Sequence, residues 1–230
     1  MKDLSQFEKK IKARFSNKDL LKEALTHRSY LNENSSWPFS HNERLEFLGD
    51  AVLELVATEF LFKKFPKKPE GELTNLRAAL VNATMLASVA GEMDINNFIL
   101  LSRGEARDTG RARAYILADA FEALVGAIYL DGGYGAAQKI IERFLLYRTQ
   151  EVLEKKLFRD PKSLFQEKAQ EVFGITPTYQ VLKEWGPDHD RHFILGVYLG
   201  EELAGEGEGP SKQIAQQSAA EAALARKDWS

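Results

Sequence analysis

The run His41-Asn-Glu-Arg-Leu-Glu-Phe-Leu-Gly-Asp50-Ala-Val-Leu-Glu-Leu55 carries apolar residues at helical spacing and sets Glu43, Glu46 and Asp50 at i, i+3 and i+7. Those three carboxylates share one helix face. Like charges at that spacing repel, so a helix that places them beside Leu45, Phe47, Leu48, Val52 and Leu53 calls for a compensating cation. A solvated acidic face is the competing reading of any such run. The segment Ala118-Asp119-Ala-Phe-Glu122-Ala-Leu-Val-Gly-Ala-Ile-Tyr-Leu130 repeats the design, with carboxylates at i and i+3 among small and apolar residues. If the two acidic faces meet, four or five carboxylates surround one point. An all-oxygen donor set of that kind suits Mg²⁺ or Mn²⁺ and does not suit zinc.

Other residue types narrow the chemistry. The chain has no cysteine, which excludes a disulfide scaffold and a thiol nucleophile. Its four histidines, His27, His41, His189 and His192, form no Glu-x-x-His pair, so a di-iron carboxylate bundle is a poor fit. His189-Asp-Arg-His192 follows Gly186-Pro187 and reads as a turn with exposed histidines. The N-terminus lacks the apolar core of a signal peptide, and no uncharged stretch approaches membrane-spanning length. The expectation is a soluble, cytoplasmic protein without a membrane partner.

The 230 residues, 44% of them apolar, allow one large or two modest domains. Up to residue 154 nearly every segment has helical periodicity: Leu4–Ile11, Lys18–Thr26, Glu43–Lys64, Glu72–Ala90, Ala112–Leu130 and Gly135–Lys156. Ser16 or Asn17 and Thr74 are candidate caps, Pro66 and Pro69 stop the long third helix, and Asp131-Gly-Gly133 ends a later one. Arg159-Asp160-Pro161 marks a change of regime. A helical run over Pro161–Phe173 precedes strand-like runs over Thr178–Leu182, His192–Leu199 and Glu202–Gly207, and Lys212–Arg226 is an Ala-rich helix. The expected fold is an all-α domain over residues 1–156 followed by a small α-β-β-β-α domain over residues 160–230.

The net charge of −3 is unevenly spread, with 24 Lys and Arg against 22 Asp and Glu through residue 159, and 7 against 12 from residue 160. With its clustered acids neutralised by metal, the first part would present a more basic surface to a polyanion.

Glu43-Arg-Leu-Glu-Phe-Leu-Gly-Asp50-Ala-Val resembles the hallmark of the ribonuclease III family, and Asp119-Ala-Phe-Glu122-Ala resembles its second acidic segment. Leu25-Thr-His-Arg-Ser-Tyr30, Glu70-Gly-Glu-Leu-Thr74 and Leu101-Ser-Arg-Gly-Glu105 fit the same family in the same order. The tail, with Pro177-Thr-Tyr, Gly186-Pro-Asp-His189 and Gly207-x-Gly-x-Ser-Lys212-x-x-Ala215, resembles the double-stranded RNA-binding domain.

The resemblance implies an endoribonuclease that cleaves double-stranded RNA with Mg²⁺, or Mn²⁺ in its place, leaving 5′-phosphate and 3′-hydroxyl ends with a short 3′ overhang. It places Glu46, Asp50, Asp119 and Glu122 at the metal, with Asp50 and Glu122 catalytically indispensable and Glu43 and Glu70 in support. Divalent ions suit phosphodiester hydrolysis because they activate water and offset charge on the phosphoryl oxygens. Glu54 and Glu59 read as solvated surface residues, and His27 as a helix-end or loop residue.

Phe47 points about 100° from Glu46 on a helix, and a core position is its default reading. The resemblance instead makes it the plug of a homodimer interface. RNA contact is implied for Gln166, Glu167, His189, Ser211 and Lys212, with Thr26, His27, Arg28, Arg77, Asn82, Arg103, Arg107, Arg111 and Arg113 as positioning candidates. Gln213 and Gln216 stand where lysines often follow Lys212, and Glu206 and Glu208 lie just before it. Weak binding by that domain alone is expected. Two rivals are a non-cleaving RNA-binding regulator of the same fold and a metal-dependent hydrolase of small phosphorylated substrates.

Overall fold

A computed structural model describes residues 3–155, 158, 160–187 and 191–229. It divides into two compact units at residues 158/159. In the first unit, α1 (Leu4–Ile11) starts where Asp3 accepts the Ser5 N–H and ends at Lys12 in the left-handed region, φ 55°. Asn17 caps α2 (Lys18–Ala24) through the Asp19 N–H. After α3 (Arg28–Glu33) come the long α4 (Glu43–Lys64), α5 (Glu70–Leu80), α6 (Ala83–Glu92), α7 (Arg111–Gly132), α8 (Tyr134–Phe144) and α9 (Thr149–Glu154). Single 3-10 turns cover Ile95–Asn97, Glu105–Arg107 and Leu146–Arg148.

α7 is the axis of this unit. Ala118, Ala120, Phe121, Ala123, Leu124, Val125, Ala127 and Ile128 are all buried, and α2, α4, α6 and α8 pack around them. Alanine and glycine are frequent along α7 because four helices converge on it, and bulky side chains on every face would hold them apart. The remaining core comes from Phe7 and Ile11 of α1, Leu21 of α2, Leu53, Val56 and Leu61 of α4, and Leu76 and Leu80 of α5. Burying each such side chain stabilises the fold by about 1.5–3 kcal/mol.

The helix expected over residues 72–90 is two helices. Asn82 breaks it by accepting the Met85 N–H at 3.0 Å and so starting α6. Thr74 lies inside α5, where its hydroxyl donates to Glu70 at 2.9 Å, and Pro69 takes the N-cap place instead. The run expected over residues 135–156 likewise breaks into α8, a 3-10 turn and α9.

In the second unit Asp160 caps α10 (Pro161–Phe173), with Pro161 in its first turn and Gly174 ending it at φ 67°. Strands β1 (Thr178–Trp185), β2 (His192–Leu199) and β3 (Glu202–Gly209) form an antiparallel sheet in that order. β1 and β3 each run further than their apolar residues suggest, since charged Lys183, Glu184, Glu206 and Glu208 pair as well as apolar ones on an open sheet face. α11 (Lys212–Arg226) packs on β2, β3 and α10, burying Phe165, Val197, Ala204, Ala219, Ala220, Ala223 and Leu224.

Candidate metal centre and nucleic-acid interface

α4 and α7 touch backbone to backbone. A Cβ added at Gly49 would stand 1.8 Å from the Glu122 carbonyl oxygen, and one at Gly126 would stand 2.2 Å from that of Leu45. The two glycines let the helices close to a separation that no larger residue permits. Glu46, one turn before Gly49, is thereby brought against Asp119 and Glu122. One carboxylate oxygen from each of the three lies within 4.8 Å of the others, and each residue is half-buried.

The electrostatics follow from that crowding. Burial raises the pKa of Asp119. Burial, followed by the charges of Asp119, Glu43 and Asp50, raises that of Glu46. Glu122 is pushed up to about 8, first by burial and then by Asp50, Asp119, Glu46 and Glu54. Among the described residues no lysine or arginine pairs with Glu46, Asp119 or Glu122. Three convergent oxygens without a cation, and without any nitrogen or sulfur donor in the group, fit a hard divalent ion.

The other acids lie outside this group. Asp50 is exposed and its oxygens stand apart, yet it is the strongest neighbouring charge on Glu122. Glu43 is exposed, 3.2 Å from Arg28 and 3.7 Å from the His41 ring. Glu70 opens α5 beside a cleft of about 380 Å³ lined by Thr58, Leu61, Phe62, Leu73 and Arg77. Glu54 and Glu59 are not freely solvated. Glu54 pairs with Arg77 at 2.7 Å, and Glu59 pairs with Lys63 and the Tyr134 hydroxyl, because α5 and α8 pack against that part of α4.

Phe47 is not in the core. It is 83% exposed, and Leu55 and Phe62 on the same helix are 57% and 70% exposed. The latter two went unnoticed in the sequence, where apolar periodicity does not distinguish a core face from a face awaiting a partner.

Several positioning candidates hold local structure. His27 caps α3 by accepting the Ser29 N–H, and burial lowers its pKa, which keeps the ring neutral. Thr26 is buried and donates to the Lys22 carbonyl, and Asn82 caps α6. Arg28 pairs with Glu43, Arg77 also donates to Thr58, Arg111 to the Tyr115 hydroxyl and Arg113 to Asn96. The Arg103 N–H donates to Glu33, while Arg107 closes an exposed 3-10 turn.

In the second unit Gln166 and Glu167 project from the exposed side of α10, opposite buried Phe165 and Ala169. Ser211 caps α11 by accepting the Ile214 N–H, and the Lys212 ammonium lies 5.7 Å from the centre of the Phe193 ring. Lys162, which sequence reasoning passed over, donates to Gln216 at 2.9 Å and adds a cation between the two helices. His189 lies outside the described residues. A Cβ at Gly207 would stand 2.0 Å from the Ala219 nitrogen, and Gly205 and Gly209 are also closely covered by α11. Glu206 and Glu208 alternate with those glycines, so their carboxylates leave the sheet on the face away from α11 and Lys212.

No helix among the described residues is long and apolar enough to cross a membrane. The family described as ribonuclease-III-like matches residues 17–149, and the double-stranded RNA binding motif matches residues 161–227. Ribonuclease 3 of a Nitratiruptor species is 47% identical over 97% of this chain and 96% of its own length. Ribonuclease 3 of Borreliella burgdorferi is 45% identical over 96% and 90%. A solved structure of the nuclease domain of the Campylobacter jejuni ribonuclease III, a domain with structural flexibility in a region involved in dimer formation, superposes with a TM-score of 0.56. It is 44% identical and covers 62% of this chain and 95% of that one. The chain therefore belongs to the ribonuclease III family of endoribonucleases and joins that nuclease fold to a double-stranded RNA-binding motif.

Proposed function

We propose that this chain hydrolyses phosphodiester bonds of double-stranded RNA with Mg²⁺, Mn²⁺ substituting, and releases 5′-phosphate and 3′-hydroxyl ends with a short 3′ overhang. The observation that carries this reading is the convergence of Glu46, Asp119 and Glu122 with no cation beside them. Glu46, Asp50, Asp119 and Glu122 would hold the ion, Asp50 from its exposed position beside Glu122. A bound divalent ion supplies Lewis-acid charge that activates water and offsets charge on the phosphoryl oxygens. Glu122 gives up its proton as the site loads, and Glu46 and Asp119 keep their oxygens aimed at the same point through the rigid α4–α7 contact. Catalytic work belongs to residues 1–156. Residues 160–230 deliver the duplex, reading its shape through Gln166, Glu167, His189, Ser211 and Lys212. Substrates are ribosomal precursors and other structured transcripts of the cytoplasm.

The working unit is a homodimer. Phe47, Leu55 and Phe62 form an exposed apolar stripe along α4, with small Ala51 and Thr58 between them. The cleft beside Glu70 offers Leu61, Phe62 and Leu73 to receive Phe47 of the partner subunit. Around a two-fold axis that contact sets Glu70 next to the other subunit's α4, which explains why it stands apart from the acids of its own chain. Two centres so related cut opposite strands at staggered positions.

The deciding experiment incubates the protein with a long RNA duplex and Mg²⁺, with and without EDTA, and analyses the product ends. Short duplexes with 5′-phosphates, formed only without EDTA, are expected. Intact duplex, or cleavage indifferent to EDTA, would overturn the reading.

A further inference from the structure

Two adjoining clefts lie at the far end of α7 from the acids. One, of about 410 Å³, lies between the α1–α2 connection and the α7–α8 turn, and the other, of about 750 Å³, runs along α1. They share Lys12, Ala13, Arg14 and Phe15. Asp131, which lines the first, follows Asp119 by roughly 18 Å along the helix axis at about 1.5 Å per residue. This is a different place from the metal centre.

Six cations line the pair of clefts: Lys9, Lys12, Arg14, Lys18, Lys139 and Arg143. Only two acids accompany them, and both are engaged. Glu8 accepts the Phe15 N–H at 2.7 Å and pairs with Lys18. The two oxygens of Asp131 accept the Ser16 and Asn17 N–H groups at 2.8 and 2.7 Å. Among the described residues the other five cations make no ion pair. Lys12 sits at φ 55°, in the left-handed region that glycine or asparagine adopts more easily.

The floor of the clefts is carbon, from Ala13, Ala136 and the buried rings and branches of Phe15, Ile128 and Ile140. No exposed aromatic ring lines either cleft. Charges in series on an apolar floor match an anion that repeats its charge along its length.

We propose that this double cleft is a second phosphate-binding site, one that takes successive phosphate groups of an RNA backbone or of an oligophosphate. The RNA source rests on the function proposed above, and the oligophosphate source does not.

The test compares the full chain with its Arg14→Gln/Lys139→Gln/Arg143→Gln variant. A charge-matched control removes Lys63, Lys64 and Lys67 at the end of α4. One arm measures binding, in EDTA, of a short duplex and of one several turns longer, between about 50 and 200 mM salt. The other measures the thermal shift produced by inorganic tripolyphosphate. Loss of roughly tenfold affinity for the long duplex alone, with the salt slope reduced by about 3, identifies the RNA backbone. Loss of the tripolyphosphate shift alone identifies an oligophosphate. If both quantities match the wild type, or the control changes as much, the site does not exist. Cleavage of the short duplex with Mg²⁺ is scored in parallel, so failure of the proposed function is seen separately from failure of the cleft.

Discussion

Glu122 holds its proton at neutral pH because folding buries it in part and then surrounds it with other acids. Its pKa moves from 4.5 to about 8, and between those values the folded chain keeps a proton that the unfolded chain releases. The corresponding stabilisation is complete below about pH 4.5 and is lost as pH rises through about 8. Calorimetric melting in EDTA should therefore fall from about pH 5 to about pH 9, with Glu46 and Asp119 contributing in the same direction. Glu122→Gln carries no charge at any pH. It should melt above the wild type at about pH 8 and flatten the profile, while abolishing cleavage and leaving duplex binding intact. Parallel profiles for the two proteins would show that Glu122 is not the crowded group. The spacing of the acids on two helices drew attention to Glu43, Glu46, Asp50, Asp119 and Glu122 together, and the family resemblance set Glu43 apart. Spacing could not separate exposed Asp50 from the tight trio, because helical phase fixes a side chain's direction and leaves its depth and rotamer open.

At the scale of elements, the centre depends on how closely α4 approaches α7. Alanine at position 126 would gain about 1 kcal/mol of helix propensity, but its methyl group would lie 2.2 Å from the Leu45 carbonyl oxygen. Backbone cannot yield as a side-chain tip does, so the helices must part. Gly126→Ala should then lose about 1–3 kcal/mol of stability, the usual cost of overpacking, and weaken Mg²⁺ binding as Glu46 moves from Asp119. Gly91→Ala, near the end of α6 with nothing within 4 Å of the added atom, should be neutral or slightly stabilising. Denaturant unfolding of both variants checks the pair, and equal effects would show that the α4–α7 contact tolerates a methyl group. Both glycines of the contact are visible in the sequence as isolated breaks in strong helices, a pattern that hints at packing without naming the partner. Long amphipathic or small-residue helices such as α4, α7, α10 and α11 were legible from period and caps. α3 and the breaks at Asn82 and Leu145 were not, since each depends on one local cap or a single turn that periodicity averages away.

For the whole molecule, the deciding surface is the outward face of α4. A core position is the default reading of Phe47 among its apolar neighbours, whereas Phe47 and Phe62 stand in solvent. Only the family resemblance pointed to Phe47, and nothing in the sequence pointed to Leu55 or Phe62. A contiguous apolar stripe of this kind marks an interaction site. Because Phe47 is exposed within its own chain, Phe47→Glu should leave the fold almost untouched, with unchanged helical circular dichroism and melting set by the subunit alone. In a two-fold dimer the same change is made twice. Burying an unpaired carboxylate at each of two contacts, at about 2 kcal/mol apiece, weakens association roughly a thousandfold. Sedimentation equilibrium should then show a monomer for the variant and a dimer for the wild type. That monomer still carries Glu46, Asp50, Asp119 and Glu122, but it lacks a second centre and a neighbouring Glu70. Paired cuts in duplex RNA should vanish, leaving at most single-strand nicks. A dimer that survives the substitution, or a monomer that still releases short staggered duplexes, would show that the stripe serves another partner and that one chain holds everything the reaction needs.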